Sequence, residues 1–256
     1  MEKVIIVGLF GLAWGSFLNV VIYRVPRKIS IIRPPSCCPH CQKRIKFYDN
    51  IPVLSFILLR GKCRFCRQKI SFRYPLVELL TALSFIVLYI YNSYALSLFF
   101  FASCLFTSAL IALTFIDYDY QILPDTVTLP VFTLALIYSS FRHDLNIKQA
   151  LIGAGVGAGF LLLVYGAYYL LRKKEGMGLG DVTMMLMIGA FLGWRQTFFT
   201  LVLASFAGAL VGIFFIFFKK KSLQTSLPFG TFLGPAAYFS LVWGEKIIRA
   251  YLSLFR

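Results

Sequence analysis

The sequence has 256 residues, of which 59% are hydrophobic and 14% charged, and its formal net charge is +16. A composition this apolar excludes an ordinary soluble domain and indicates an integral membrane protein. The basic residues do not alternate with aromatic ones as in a nucleic-acid-binding groove, so we expect no nucleic-acid partner. We assign the charge to membrane topology and to contact with anionic lipid headgroups.

Apolar segments along the chain predict an all-α polytopic membrane protein with about eight transmembrane helices. The first segment, residues 4–23, contains Trp14 and Asn19. It lacks a basic start and a small-x-small cleavage site, which favours a retained helix over a signal peptide. Gly11 and Gly15 suit close packing of this helix against another. The remaining predicted segments are 76–92, 96–116, 124–140, 150–171, 181–194, 197–218 and 229–243.

The segment between the first two predicted helices holds two C-x-x-C pairs, Cys38 with Cys41 and Cys63 with Cys66. Two such pairs offer the four thiolates that a structural zinc ion binds in a tetrahedron. Two disulfide bonds are the alternative, but a cytoplasmic position would count against them because that compartment is reducing. Cys37 could replace Cys38 as a ligand.

Basic residues define the predicted orientation. Residues 24–75 contain 13 Lys and Arg against one acid, Asp49. With eight spans, the basic turns at 172–174 and 219–221 fall on the same side of the membrane. Since basic loops remain in the cytoplasm, we expect this side to be cytoplasmic and both termini to lie outside.

Two acids, Asp117 and Asp181, are the candidates for catalysis. Asp117 ends one predicted span and Asp181 begins another, at the same cytoplasmic level. Ionisable side chains at such positions are usually functional or paired. Two facing carboxylates suit general acid–base hydrolysis, in which one is protonated and polarises a carbonyl while the other activates water. The alternative is that each carboxylate only caps a helix or snorkels to the interface.

The residues around Asp181 suggest how it works. Gly178 and Gly180 lack Cβ atoms, so they would let the backbone approach Asp181 and a bound extended peptide closely. The helix dipole favours a carboxylate anion at the start of a helix and disfavours one at the end. We therefore predict that Asp181 is the more readily ionised of the pair and that Asp117 more often carries a shared proton.

Other acids have simpler interpretations. Asp125 follows Pro124 and is typical of a helix cap, while Asp119 is expected at the rim. Glu175 would balance the basic turn around it. Glu78 is expected in the first turn of a membrane helix, where the dipole tolerates it, and Asp49 is expected to be solvated.

Five ordered motifs resemble those of the type IV prepilin peptidases, which are GxGD-type aspartic proteases of bacterial inner membranes. The resemblance extends to LPFG at 227–230 and includes both cysteine pairs. The motifs read GSFLNVVIYR at 15–24, DNIPVLS at 49–55, RYPLVE at 73–78, IDYDYQILPD at 116–125 and GMGLGD at 176–181.

The resemblance implies a membrane endopeptidase with Asp117 and Asp181 as its catalytic pair. The family removes the basic leader of prepilins and pseudopilins, proteins of pili, competence or type II secretion. Many members then methylate the new N-terminus with S-adenosylmethionine, an activity linked to the large cytoplasmic loop. The chain would divide into a first helix (1–23), a zinc-binding loop (24–75) and a peptidase core (76–256).

Supporting roles are expected for several residues near the pair. Gly178, Gly180 and Asp125 would support catalysis, and Asp119 and Glu175 would meet the leader. Two other functions are conceivable: a carboxylate-gated proton or cation transporter with a zinc-stapled loop, or a scaffold that binds pilins without cutting them. A transporter would place acids near mid-membrane. Here they lie at one interface, which favours the enzyme.

Overall fold

The computed structural model describes residues 2–142, 144–173, 178–219 and 228–254, and within these ranges it is helical without a β-sheet. The prediction of an all-α fold is confirmed. Each predicted apolar segment coincides with a helix. The α-helices are α1 (Glu2–Arg24), α2 (Leu54–Leu58), α3 (Arg73–Tyr91), α4 (Leu98–Tyr120), α5 (Asp125–Ser139), α6 (Ile147–Arg172), α7 (Leu179–Leu192), α8 (Trp194–Lys219), α9 (Gly230–Phe239) and α10 (Glu245–Ser253).

Five of these helices are long and apolar enough to cross a membrane: α1, α3, α4, α6 and α8. Two further apolar helices, α5 and α7, are shorter. The turn of π-helix at Ser240–Gly244 joins α9 directly to α10. The described residues therefore form a multi-helix architecture with five candidate membrane spans, while the number of eight spans stays a prediction.

The chain divides into two compact units, Met1–Ala112 and Leu113–Arg256. In the first unit, α1 packs along α3. A Cβ atom at Gly11 would lie 2.6 Å from the Cα of Ala82, and one at Gly15 would lie 2.7 Å from the Cα of Glu78. The two helices approach so closely because both positions lack a side chain, as the small-residue spacing in α1 predicts.

Glu78 differs from its expected position. Since α3 begins at Arg73, Glu78 lies beyond the first turn, where the helix dipole acts little. Its side chain is buried, and its Oε2 accepts a hydrogen bond of 2.8 Å from the backbone N–H of Val53. The expectation of a carboxylate tolerated by the dipole is wrong, because the Val53 N–H of the preceding loop and the Ser16 hydroxyl of α1 donate to it instead.

That loop contains two turns of the same construction. In the first, the Cys38 N–H donates to the Lys43 carbonyl and the Gln42 N–H to the Cys38 carbonyl. In the second, Cys63, Gln68 and Arg67 repeat these two bonds. The residue after the second cysteine has a positive φ in both turns, +57° at Gln42 and +61° at Arg67. Each C-x-x-C pair is thus held by its own tight turn, which we call a knuckle.

The carboxylate of Asp49 is tied to the second knuckle. Arg64, between the two cysteines of that knuckle, donates to both oxygens of Asp49 at 2.6–3.1 Å. The hydrogen bond from Arg64 lowers the pKa of Asp49, as does the positive charge of that guanidinium. Asp49 is therefore paired rather than solvated, which corrects the expectation from sequence.

In the second unit, α7 is the central helix and packs against α5, α6, α8 and α9. Three of its side chains are among the largest that are fully buried: Met184, Met185 and Met187. A Cβ atom at Gly153 of α6 would overlap the carbonyl oxygen of Gly189 in α7, and the reverse also holds. Because α6 and α7 touch through their backbones here, α7 is fixed tightly, and with it the position of Asp181 at its start.

Candidate functional site

Asp117 lies in the last turn of α4, and its side chain is buried, with 5% of the residue exposed. Its Oδ2 accepts a hydrogen bond of 2.8 Å from the backbone N–H of Thr231 and one of 3.2 Å from the Thr231 hydroxyl. Thr231 is in the first turn of α9, whose free N–H groups point toward the carboxylate. The end of α4 and the start of α9 therefore meet at Asp117.

Asp181 is in the first turn of α7 and is also buried, with 7% of the residue exposed. The backbone N–H of Gly230 reaches both the Asp181 and the Asp117 carboxylates. Within the described ranges, Asp181 Oδ1 has no hydrogen-bond partner. The structure thus brings together the two aspartates that the sequence analysis singled out, with one peptide N–H common to both.

Gly230 leaves no room for a side chain between these groups. A Cβ atom there would lie 2.9 Å from Asp117 Oδ2 and 2.9 Å from the Cδ1 of Leu123. Gly230 and Thr231 were not among the predicted site residues. The LPFG segment that ends at Gly230 was visible as part of the resemblance, but nothing in the sequence pairs it with position 117.

The two glycines before Asp181 serve different purposes. Gly180 packs against the turn that follows α4, since a Cβ atom would lie 2.8 Å from the Cβ of Leu123. Gly178 has space, because a Cβ atom there would lie 3.9 Å from Asp181 Oδ2. Gly180 therefore permits close backbone packing beside the pair, while steric exclusion in the described structure does not require glycine at 178.

The remaining predicted site residues are not buried with the pair. Asp119 is exposed near the end of α4, and Asp125 is exposed as the first residue of α5. Pro124 rather than Asp125 occupies the cap position of that helix, so the expected cap is displaced by one residue. Glu175 and Gly176 fall outside the described residues.

The four predicted metal ligands form one cluster. The Sγ atoms of Cys38, Cys41, Cys63 and Cys66 all lie within 4.8 Å of one another, and Cys38 Sγ is 3.8 Å from Cys66 Sγ. All four are free thiols rather than disulfides. Cys37 Sγ instead contacts Gln42 Oε1 at 3.6 Å, so Cys38 is the member of the cluster. This arrangement suits a tetrahedral metal ion.

The charge state of the thiols supports the same conclusion. The backbone N–H groups of Cys66 and Phe65 lower the pKa of Cys63 to about 7. The Gln68 N–H also lowers the pKa of Cys66. Desolvation and the neighbouring thiols outweigh it, so the pKa of Cys66 is raised to about 11. Adjacent sulfurs therefore resist joint deprotonation, and a divalent cation bound among them would supply the missing positive charge.

Two family models match the chain: Bacterial Peptidase A24 N-terminal domain over residues 9–92, and Type IV leader peptidase family over residues 104–213. A prepilin leader peptidase/N-methyltransferase from Aeromonas hydrophila is 39% identical, over 98% of this chain and 94% of its own length. The chain belongs to the type IV leader peptidase family.

Other relatives of this chain carry the same name as the Aeromonas protein. The protein from Stutzerimonas stutzeri is 38% identical over 96% of this chain and 92% of its own, and that from Pseudomonas aeruginosa is 36% identical over 95% and 91%. None of the solved structures matches this chain. Both aspartates lie within the residues matched by the leader peptidase model, and the cysteine cluster lies within those matched by the N-terminal one.

Proposed function

We propose that this chain is a membrane aspartic endopeptidase that removes the leader peptide of type IV prepilins or pseudopilins and then N-methylates the new N-terminus. The buried pair of Asp117 and Asp181, joined through the Gly230 N–H, carries the proposal for peptide hydrolysis. The name shared by relatives that align with nearly the whole chain supports both activities. A transporter is not favoured, because both acids lie at ends of helices rather than midway along them.

Two close carboxylates cannot both ionise at low cost, so the pair holds one proton. Hydrogen-bond donors favour the ionised form of a carboxylate. Asp117 accepts two bonds from Thr231, whereas Asp181 Oδ1 accepts none from the described residues. We therefore assign the proton to Asp181 and the negative charge to Asp117, the reverse of the assignment from helix dipoles alone.

In this scheme Asp117 takes a proton from a water molecule as that water attacks the scissile carbonyl carbon. Asp181 gives its proton to the carbonyl oxygen, so the tetrahedral intermediate is neutral. When the C–N bond breaks, the leaving amine takes the proton from Asp117, and the intermediate returns one proton to Asp181. The pair thereby recovers its starting state, and the net reaction consumes one water.

The proposed site faces the cytoplasm of a bacterial inner membrane, with both termini outside. The concentration of Lys and Arg in residues 24–75 and in the two later basic turns supports this orientation. A basic leader is repelled by a basic loop, so acidic side chains near the catalytic pair must bind it. Asp119, which is exposed in the last turn of α4, and Glu175 are the acids we propose for this contact.

Zinc is the metal we propose for the cysteine cluster. Four thiolates in two short turns are typical of structural zinc sites, and they leave no coordination position for a substrate. Anionic lipid headgroups would contact the basic residues around the cluster.

S-adenosylmethionine is the methyl donor we propose, and it supplies a methyl group carried on a positive sulfonium. A site for methylation must therefore accept cationic groups. In the first unit, Glu78 is a buried carboxylate, and Asn19 Oδ1 is a buried acceptor without a partner in the described ranges. These groups fit a cationic ligand.

Separate Asp117→Asn and Asp181→Asn variants test the peptidase mechanism. Each amide keeps the shape of the side chain but cannot exchange the proton, so we expect cleavage to fall by about 10³-fold. The assay follows cleavage of a leader-bearing pilin peptide by the detergent-purified protein, with products weighed by mass spectrometry. Asp144→Asn is the control, because Asp144 is an exposed acid paired with Arg142. Full cleavage by either active-site variant would contradict the mechanism.

A further inference from the structure

Three motifs that the peptidase mechanism does not use converge in the first unit. GSFLN contributes Ser16 and Asn19, DNIPVLS contributes Val53, and RYPLVE contributes Glu78. We call these four residues the Glu78 cluster.

The cluster is held together by direct contacts. The Val53 N–H donates to Glu78 Oε2 at 2.8 Å, and the Ser16 hydroxyl donates to the same carboxylate. Asn19 donates to the Tyr74 carbonyl at 3.0 Å, one turn before Glu78 in α3. Segments far apart in sequence therefore meet around one acidic side chain.

Glu78 is a buried acid with no positive side chain paired with it among the described residues. Only 7% of the residue is exposed, and in the described part of the chain no Lys, Arg or His forms an ion pair with it. Buried carboxylates are ordinarily paired with a cation. Since a carboxylate has roughly four acceptor positions, the donors from Val53 and Ser16 leave about two open. The unpartnered Oδ1 of Asn19 adds another acceptor to the cluster.

The backbone next to Glu78 is strained. Val53 has φ of 60° and ψ of −48°, and the Leu54 N–H donates to the Pro52 carbonyl, which closes a γ-turn. A β-branched residue in the left-handed region is a rare outlier, and such strain persists only where surrounding contacts enforce it. The residue at the centre of this turn is the one whose N–H donates to Glu78.

An excess of acceptors, a buried acid without an ion-pair partner and a strained turn beside it together fit a ligand that is cationic and rich in N–H donors, since such a ligand would stabilise the ionised form of Glu78. A primary ammonium group has both properties, with three donors on one positive charge. The proposed reaction produces such a group, since cleavage of the leader leaves a free N-terminal ammonium on the mature pilin.

We propose that the Glu78 cluster is the methyl-acceptor site, where Glu78 binds the N-terminal ammonium of the cleaved pilin and removes one of its protons. This inference rests on the proposed N-methylation. The proton passes from the ammonium nitrogen to a Glu78 oxygen, which leaves a neutral amine with a free lone pair and a neutral carboxyl group. The amine lone pair would then form the N–C bond while the S–CH₃ bond of the methyl donor breaks, which would leave a neutral thioether and a methylammonium, and Glu78 returns its proton to water.

A simpler role for Glu78 would be to anchor the loop through the Val53 N–H. The Glu78→Gln variant separates the two roles, because an amide oxygen still accepts that hydrogen bond but bears no charge. If Glu78 only anchors the loop, Glu78→Gln methylates normally. If it binds and deprotonates the ammonium, the variant loses methylation by on the order of 10²-fold while it still cleaves leader peptides. Glu2→Gln, which removes an exposed acid of the same unit, is the matched control and retains both activities.

The experiment uses a synthetic peptide that begins at the mature pilin N-terminus, so methylation is measured without prior cleavage. Binding of this peptide to the full chain in detergent is measured by thermophoresis, with a free and with an acetylated N-terminus. We expect Glu78→Gln to weaken binding of the free-amine peptide by about 10-fold, as for one charge-assisted contact, and to leave the acetylated peptide unaffected. Equal binding of the free peptide to both proteins would overturn the proposal.

A second measurement needs no variant and so remains informative if Glu78→Gln fails to fold. A carbodiimide joins a carboxylate to an amine in direct contact with it, with loss of water. Treatment of the wild-type chain with the mature peptide should join the peptide N-terminus to Glu78, as mapped by mass spectrometry. Coupling only to other acids would contradict the proposal. Failure of the wild type to cleave a leader would count against the peptidase assignment alone, because the mature peptide bypasses that step.

Discussion

Gly230 shows how a single missing side chain organises the proposed active site. Its N–H reaches both aspartates, and its Cα lies so close to Asp117 that only hydrogen fits at the Cβ position. The atoms in the way, Asp117 Oδ2 and Leu123 Cδ1, belong to the ends of side chains. A larger residue would therefore displace the carboxylate rather than unfold the helix.

We predict that Gly230→Ala folds but loses cleavage. A Cβ atom 2.9 Å from Asp117 Oδ2 pushes that oxygen out of place. A misplacement of about 1 Å at a reacting group costs on the order of 10²-fold in rate. The measurement is the rate of leader cleavage together with the thermal unfolding temperature.

Gly208→Ala is the control for this variant. Gly208 faces Phe232 of α9, where an added Cβ atom would be in ordinary contact at 3.5 Å. It should therefore keep full activity. Normal cleavage by Gly230→Ala would show that the Gly230 backbone is not fixed against Asp117.

The role of a single residue was predictable from sequence only where its residue type and its sequence neighbours together indicated that role. Asp117 and Asp181 stood out because few acids occur in the chain and both adjoin apolar runs. The environment of Glu78 was predicted wrongly because its partner is the backbone N–H of Val53. Every residue except proline has such a group, so the sequence does not indicate which one binds Glu78. Thr231 was missed for a similar reason, since a threonine at a helix start is common and its partner lies far away in the chain.

At the scale of elements, the two cysteine knuckles are the clearest case of local sequence that determines local structure. Each pair closes its own turn with the same backbone bonds, so contacts local in sequence are enough to bring the two cysteines of a pair to one turn. The pairing of Asp49 with Arg64 then fixes the second knuckle to the turn of 3₁₀-helix at Phe47–Asn50. C-x-x-C spacing predicted that the four cysteines could bind one metal ion, and the structure brings them together, but no pattern predicted this ion pair.

We predict that, with zinc bound at the proposed site, Asp49→Asn releases the metal faster at neutral pH. The lowered pKa of Asp49 means that its pairing with Arg64 stabilises the folded loop above the ordinary carboxyl pKa of about 3.9. This stabilisation is lost only as the pH falls through the lowered value, below the range in which the thiol ligands themselves become protonated, so the difference between the variant and the wild type is expected near neutral pH. The measurement is metal transfer to a chromogenic chelator as a function of pH.

The variant Glu245→Gln, which removes an exposed acid from the pair with Arg249, should release metal at the wild-type rate. If Asp49→Asn and the wild type shared one release profile, the ion pair would have no part in holding the knuckle.

At the scale of the whole molecule, the proposed activities draw on different units. The cysteine cluster and the Glu78 cluster belong to residues 1–112, while both aspartates, Gly230 and Thr231 belong to residues 113–256. Hydropathy predicted the helices of both units because apolar runs of this length have few alternatives in a membrane. It could not predict which helices pack together, since small residues such as Gly153 and Gly189 decide that through backbone contact.

This division predicts that removal of the metal separates the two activities. A chelator would release the knuckles, and with them the loop that carries Val53 against Glu78. We expect methylation of a mature peptide to fall by about 10-fold or more, in line with the loss of a structural metal, and cleavage to change little. Both activities are measured on one chelated sample, and restored zinc should recover methylation. If the chelator lowered cleavage as much as methylation while the helix content stayed unchanged, the prediction that only methylation depends on the metal would be wrong.

The unpartnered Oδ1 of Asp181 has a consequence for inhibitor design. Among the described residues, Asp117 already has its donors in Thr231, so a compound aimed at Asp117 must compete with them. Because Asp181 holds the shared proton in the proposed resting state, a compound whose carbonyl or hydroxyl oxygen reaches Asp181 Oδ1 would instead gain a hydrogen bond without breaking one. A buried polar atom that lacks a partner costs about 1–3 kcal/mol, which such a compound would recover as affinity. Screening against this chain should therefore favour scaffolds that place an acceptor beside α7 rather than a donor beside α9.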